Sequence, residues 1–143
     1  MPYRYREDIA FADAAFDAWG TNLEELFIAS ADAVMNVMVE NPDSIAAQRH
    51  VPVHLESESI EMLLYKLLEE LIFYKDAETL LLRISHITVT PIESGFSLDT
   101  VMYGEHITPG KHEFNVDIKA VTLHRFRVEQ TEQGWEATVV VDI

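Results

Sequence analysis

Ile60-Glu61-Met62-Leu63-Leu64-Tyr65-Lys66-Leu67-Leu68-Glu69-Glu70-Leu71 is followed closely by Leu80-Leu81-Leu82-Arg83-Ile84-Ser85-His86-Ile87-Thr88-Val89-Thr90-Pro91-Ile92. In the first run Ile60, Leu63, Leu64, Leu67, Leu68 and Leu71 recur at three- and four-residue steps, so they form one stripe of an amphipathic helix. Ser57 is placed to open that helix, with Glu58 and Glu61 against the positive end of its dipole, and it ends near Asp76. In the second run the period drops to two, which is the spacing of side chains on one face of a strand. The switch from helix to strand in mid-chain is what decides the fold class.

On the C-terminal side the strand pattern continues. Strands are expected at Leu80–Ile92, Phe96–Tyr103, Phe114–Glu129 and Trp135–Ile143, with Ser94-Gly95 and Gln133-Gly134 as turn signals. Phe96, Leu98, Thr100 and Met102 share one face, and Trp135, Ala137, Val139, Val141 and Ile143 share another. On the N-terminal side a short strand is expected at Val51–Glu56. Before it, Thr21-Asn22-Leu23-Glu24 has capping-box spacing, and Leu23, Leu26, Phe27, Ser30, Val34 and Val37 carry a first helix to about Met38. Residues 8–19 are read as short and mixed, because Asp13 and Asp17 interrupt the apolar Ile9, Phe11, Ala15 and Trp19. The expected architecture is α+β, two amphipathic helices packed on a largely antiparallel β-sheet.

The 143 residues show no repeat, linker or low-complexity tract, so residues 1–143 are read as a single domain. There is no cysteine, hence no disulfide or thiolate metal site. No apolar run spans a membrane, and the start lacks the features of a signal or transit peptide, so a cytoplasmic location is expected. Ten basic against twenty-five acidic residues give a net charge of −15, spread along the chain. Phosphate-neutralising side chains supply most nucleic-acid affinity, so direct, tight nucleic-acid binding is not expected. An acidic surface serves solubility, and it also suits a basic partner or a carboxylate-held metal ion.

No nucleophile elbow, phosphate loop, dinucleotide fingerprint or zinc-protease helix is present. His50 and His54 have helical ligand spacing, but Pro52 between them makes the segment extended, where residues four apart do not chelate one ion unaided. His86, His106, His112 and His124 are read as satisfied or exposed imidazoles.

The carboxylates are more informative. Asp13 lies within the otherwise apolar Ala10–Phe16, and Asp142 follows Val139-Val140-Val141, beside the terminal carboxylate expected at Ile143. Acids among apolar residues need pairing, hydrogen bonds or a metal. Adjacent carboxylates are hard oxygen ligands for calcium, magnesium or manganese. Read from the residues alone, the simpler account comes first: Asp13 caps a turn and the chain end frays in water. Alternation in Asn115–Thr122 puts Asp117 and Lys119 on one face, which read alone is a solvated face with a weak ion pair.

An ordered set of short motifs resembles the archease family over nearly the whole chain. They are Ala12-Asp13, Ala18-Trp19-Gly20, Leu23-Glu24-Glu25-Leu26-Phe27, Leu63–Leu71, Gly104-Glu105, Lys111-His112, Lys119-Ala120-Val121-Thr122 and the final Val141-Asp142-Ile143. The resemblance implies a non-enzymatic protein that assists an RtcB-type RNA ligase in tRNA splicing and RNA repair, promoting guanylylation of the ligase and repeated turnover. It further implies a divalent metal ion, calcium foremost with magnesium or manganese as alternatives, held by Asp13, Asp142 and Ile143. Lys119 would take part in activating the ligase, with Asp117 beside it. One departure is Ala10-Phe11 where many members have His-Thr, which removes a polar donor next to the expected metal ligand. Rival readings are a metal-dependent phosphodiester hydrolase using the same carboxylates, and a chaperone-like protein-binding module.

Overall fold

The computed structural model describes residues 2–8 and 13–143. In chain order the elements are β1 (Tyr3–Tyr5), β2 (Asp13–Gly20), α1 (Leu23–Met38), β3 (Arg49–Ser57), α2 (Ile60–Glu78), β4 (Leu80–Ile92), β5 (Gly95–His106), β6 (Ala120–Thr131) and β7 (Gly134–Asp142). A single 3-10 turn over Pro42–Ser44 follows α1. The strands form two sheets, one ordered β1-β2-β7-β6 and the other β3-β5-β4, and every pairing is antiparallel. Both helices touch strands of both sheets. One continuous apolar cluster runs through all of these contacts, so the α+β expectation holds. None of the described helices is long and apolar enough to cross a membrane.

Helix α2 follows its stripe: Ile60, Leu63, Leu64, Leu67, Leu68 and Leu71 are all buried. Ser59 caps it rather than Ser57, its hydroxyl accepting from the Met62 N–H at 3.2 Å, while Ser57 ends β3. At α1 the capping residue is Asn22, not Thr21. The Asn22 side chain accepts from the Glu25 N–H at 2.8 Å, and the Thr21 hydroxyl donates to the Glu25 carboxylate at 2.7 Å. The motif is shifted by one residue because Thr21 lies outside the helix, where its hydroxyl reaches a side chain and not the backbone.

Two further expectations are corrected. Residues 13–20 are a full strand, β2, and β1 pairs along its outer edge. Asp17 does not break this strand because its buried carboxylate is fully partnered. The Thr138 hydroxyl donates to it at 2.7 Å and the Arg6 guanidinium pairs with it at 2.9 Å. Burial opposes ionisation, yet the Thr138 and Arg6 bonds hold its pKa below the ordinary carboxylate value. Second, β6 begins at Ala120, not Phe114. The chain before it finds its backbone partners elsewhere: the Asn115 N–H donates to the Met38 carbonyl at 2.7 Å, and the Glu40 N–H to the Glu113 carbonyl at 2.9 Å. A bulge then interrupts β6 between Thr122 and Arg127, with Arg125 left-handed at φ 55°.

The β4–β5 and β6–β7 connections turn where expected, entering at Gly95 and Gly134 with φ of 147° and 141°. Gly134 also packs against the β2–α1 turn: a Cβ there would lie 2.2 Å from the Gly20 carbonyl oxygen. That close approach ties the end of one hairpin to the start of α1.

Candidate metal-binding tip

Strand β7 lies between β2 and β6, and this order brings the sequence-predicted residues to one end of the sheet. The register sets Asp13 directly opposite Asp142, and Ala120 opposite Asp142 on the other side. Directly opposed residues of an antiparallel pair project to the same face, with Cβ atoms about 4.5–5.5 Å apart. Ala14, Phe16, Ala137, Val139 and Val141 face the core. Asp13 and Asp142 therefore stand on the opposite face, in the same row as the buried Asp17. Both are half-buried. Like charges so opposed repel each other, and the resulting pair of hard oxygen donors suits a divalent cation.

Lys119 joins this tip through its backbone, its N–H donating to the Asp142 carbonyl at 2.8 Å. Its side chain is exposed and makes no ion pair or hydrogen bond among the described residues. Ile143 is half-buried and packs against the apolar cluster just beyond Asp142. No group of three or more His, Cys, Asp or Glu side chains gathers at one point among the described residues. Among the described residues the side-chain donors of the tip are these two carboxylates. Ala10-Phe11, the departure noted in the sequence, lies outside the described residues.

The structure does not pair Asp117 with Lys119. Ile118 is fully buried and Asp117 turns instead to Lys75, whose ammonium bonds its carboxylate at 2.6 Å and the Ile118 carbonyl at 2.8 Å. Asp76 is a further partner of the same ammonium. Burial works against the charged amine, but the bonds to Asp117 and Asp76 hold its pKa above the ordinary lysine value. Lys75 is 5% exposed, and its role was absent from the sequence reading. The signal was there: Lys75 continues the stripe of Leu64, Leu68 and Leu71 by another four-residue step, which places an amine on a buried helix face. Its consequence is positional, since the chain held at Asp117 and Ile118 runs straight into Lys119.

A second polar cluster fixes the far end of the same connection. Glu105 is buried and meets Lys111 at 2.7 Å, the His112 Nε2 at 3.0 Å and the Ala46 N–H at 2.7 Å. The His112 Nδ1 accepts from the Thr108 N–H at 2.9 Å, so the ring carries its proton on the nitrogen facing Glu105. The Lys111 and Ala46 bonds bring the Glu105 carboxyl down to about 2. His112 is therefore a satisfied imidazole, as expected. His54 lies extended on β3 between Asp99 and Glu56, at 2.7 and 2.8 Å, and shares no site with His50.

The family model of the Archease protein family matches residues 3–143. A protein of Pyrococcus abyssi called "Protein archease" is 37% identical, over 92% of this chain and 93% of its own. Another of that name from Archaeoglobus fulgidus is 37% identical over the full length of both. Among solved structures, a protein of Methanobacterium thermoautotrophicum is 30% identical with a TM-score of 0.85, covering 99% of each chain. A Thermotoga maritima protein described as an archease and "possible chaperone" superposes with a TM-score of 0.61, covering 96% of this chain and 97% of its own, but at 18% identity it speaks only to the fold.

Proposed function

The chain belongs to the archease family, and from that premise we propose that it is a non-enzymatic activator of an RtcB-type RNA ligase in tRNA splicing and RNA repair. In this role it promotes guanylylation of the ligase and repeated turnover. The observation that carries the reading is the registration of Asp13 opposite Asp142 across β2 and β7, with Lys119 bonded to the backbone of Asp142.

The Asp13 and Asp142 carboxylates, with a main-chain oxygen of Ile143, are the donors that would hold a divalent ion, calcium by preference. These are hard oxygens at the end of a rigid three-strand row. Such an ion would supply positive charge and free coordination positions for phosphate or carboxylate oxygens of the partner. Lys119, exposed and without a side-chain partner among the described residues, would offer an ammonium to the nucleotide phosphates in the ligase. Asp117 holds the Lys75 ammonium and thereby keeps the backbone leading to Lys119 in place. The acidic remainder of the surface limits direct contact with RNA and leaves the ligase as the binding partner. Among the described residues no His bonds to Asp13 or Asp142 as a base would, which disfavours hydrolysis by the tip itself.

The test is RNA joining by a matched ligase with GTP, manganese and excess substrate, this protein added or omitted. Turnover should rise well beyond one joining event per ligase, and Asp13→Ala or Asp142→Ala should remove the gain while the circular dichroism spectrum is unchanged. Unchanged turnover would refute the reading. Phosphodiester cleavage by the protein alone would favour the hydrolase, and suppressed aggregation of unrelated clients would favour the chaperone.

A further inference from the structure

The opposite end of the β2–β7 pair carries a cavity that the metal-binding tip does not use. There Gly20 opposes Trp135 and Trp19 opposes Glu136. Gly20 stands seven positions along β2 from Asp13, roughly 23 Å away at the rise of a strand. The cavity measures about 740 Å³ and opens between the β2–α1 turn, the first turns of α1 and the β6–β7 turn. That volume lies within the usual range for ligand sites. Trp19 and Trp135 line it, Trp19 remaining 40% exposed, and Ile28 adds apolar surface. The close approach of Gly134 to the Gly20 carbonyl brings the β6–β7 turn beside the β2–α1 turn here, and Trp19 and Trp135, which project from opposite faces of the strand pair, both reach the lining.

Its charge is of one sign. Among the described residues Glu25, Asp32 and Glu136 line it, and no Lys, Arg or His does. Two of these acids are already neutralised from behind: Asp32 pairs with Arg83 at 3.1 Å, and Glu136 pairs with Arg127. Glu25 is different. It is exposed and accepts only the Thr21 hydroxyl, with no cationic partner among the described residues. An occupant must therefore cover indole faces and meet one uncompensated carboxylate. A nucleotide would bring its phosphates against the uncompensated Glu25 on a chain of net charge −15. A purely apolar segment would bury the Glu25 carboxylate without a partner, which is costly. A guanidinium satisfies both demands, since its plane stacks on an indole and its fork of N–H donors matches a carboxylate. A lysine ammonium offers neither the plane nor the fork.

We propose that this two-tryptophan cavity is a docking site for an arginine side chain presented by a basic protein partner, with the guanidinium stacked on Trp19 or Trp135 and bonded to Glu25. The inference is independent of the ligase reading, because it involves none of Asp13, Asp117, Lys119, Asp142 or Ile143.

Trp19 and Trp135 are the two tryptophans of the chain, so its two indole N–H signals report on this cavity alone. The experiment is a titration of the isotope-labelled full-length protein, followed by nuclear magnetic resonance. The probe is an end-blocked Gly-Gly-Arg-Gly-Gly peptide, and the Trp19→Phe variant assigns the two signals. Both indole signals should move saturably with the arginine peptide, and the same peptide with citrulline, which has the shape but not the charge, should leave them nearly still. Glu25→Gln keeps the side-chain length and the acceptor for Thr21, so the remaining amide spectrum should be preserved. In that variant the half-saturation concentration should rise about tenfold, the scale of one charge-assisted hydrogen bond. Failure of either indole signal to move saturably would overturn the proposal. Equal movement with citrulline would overturn it in favour of a neutral apolar site. A response to guanosine monophosphate at lower concentration than to the peptide would overturn it in favour of a base-stacking site. Unaltered peptide binding by Glu25→Gln would remove the role assigned to the carboxylate. None of these results bears on ligase activation, which rests on the other end of the sheet.

Discussion

Replacing Lys75 by methionine tests how the tip is held in place. The substitution keeps an unbranched side chain in the space between α2 and the chain before β6, but removes the ammonium. Three bonds are lost. Those to Asp117 and Asp76 join carboxylates that are more than half exposed, so each returns to water and contributes at most about 0.5 kcal/mol. The third acceptor is the carbonyl of the fully buried Ile118, and leaving a buried acceptor unsatisfied costs about 1–3 kcal/mol. The expected loss is therefore about 2 kcal/mol. With an unfolding entropy of about 2.1 cal/mol/K per residue, 143 residues give about 0.3 kcal/mol/K, and the thermal midpoint should fall by about 7 °C. The local effect is more telling. With Asp117 and Ile118 released, the Lys119 N–H to Asp142 bond should open more often, and its amide hydrogen exchange should accelerate more than that of core amides in β4. Adding Asp117→Asn to Lys75→Met should cost little more, because both changes remove one shared interaction. A midpoint within about 2 °C of the parent, together with unchanged exchange at Lys119, would refute the idea that Lys75 positions this segment.

Glu105→Gln addresses acid stability. The folded carboxyl sits at about 2, below its ordinary value, so its contribution is complete above about 4.3 and is lost as pH falls from there towards 2. The parent should lose stability across that window more steeply than the variant, read as denaturant midpoints at successive pH values; parallel curves would exclude Glu105 as a cause. Gly134→Ala should lower stability by about 1–3 kcal/mol, since φ is 141° and the new Cβ would press on the Gly20 carbonyl; an unchanged thermal midpoint would count against this close packing. If the Asp13–Asp142 tip binds calcium, adding the ion at about 100 times its dissociation constant should stabilise the fold by about 2.7 kcal/mol, and a chelator should reverse the shift. Asp142→Asn should abolish that response, and a calcium shift that survives the substitution would place the ion elsewhere.

Much of this was legible in the chain because it is local. The stripe of Ile60 to Leu71, the change of period at Leu80, and the glycines at 95 and 134 each act within one element or one turn, and the structure follows them closely. The end of β6 that begins at Ala120 was not legible. Asn115–Lys119 alternates like a strand, yet its backbone groups bond to Met38 and Asp142, the Asn115 side chain to Glu40 and the Asp117 side chain to Lys75 of α2, which no local pattern records. Asp17 looked like a break in a strand for a similar reason, because Arg6 and Thr138 satisfy it from residues distant in sequence.

Residue types and spacings alone determined the α+β class, the positions of both helices and the acidic composition, and they marked Asp13 and Asp142 as acids among apolar residues. Those properties follow from periodicity and composition, which neighbours along the chain carry by themselves. Only the tertiary structure decided that Asp13 faces Asp142 across a strand pair, that Lys75 rather than Lys119 partners Asp117, and that both tryptophans line an acidic cavity at the far end. Each of these depends on strand order and register, and register is set where the buried faces of separate elements meet.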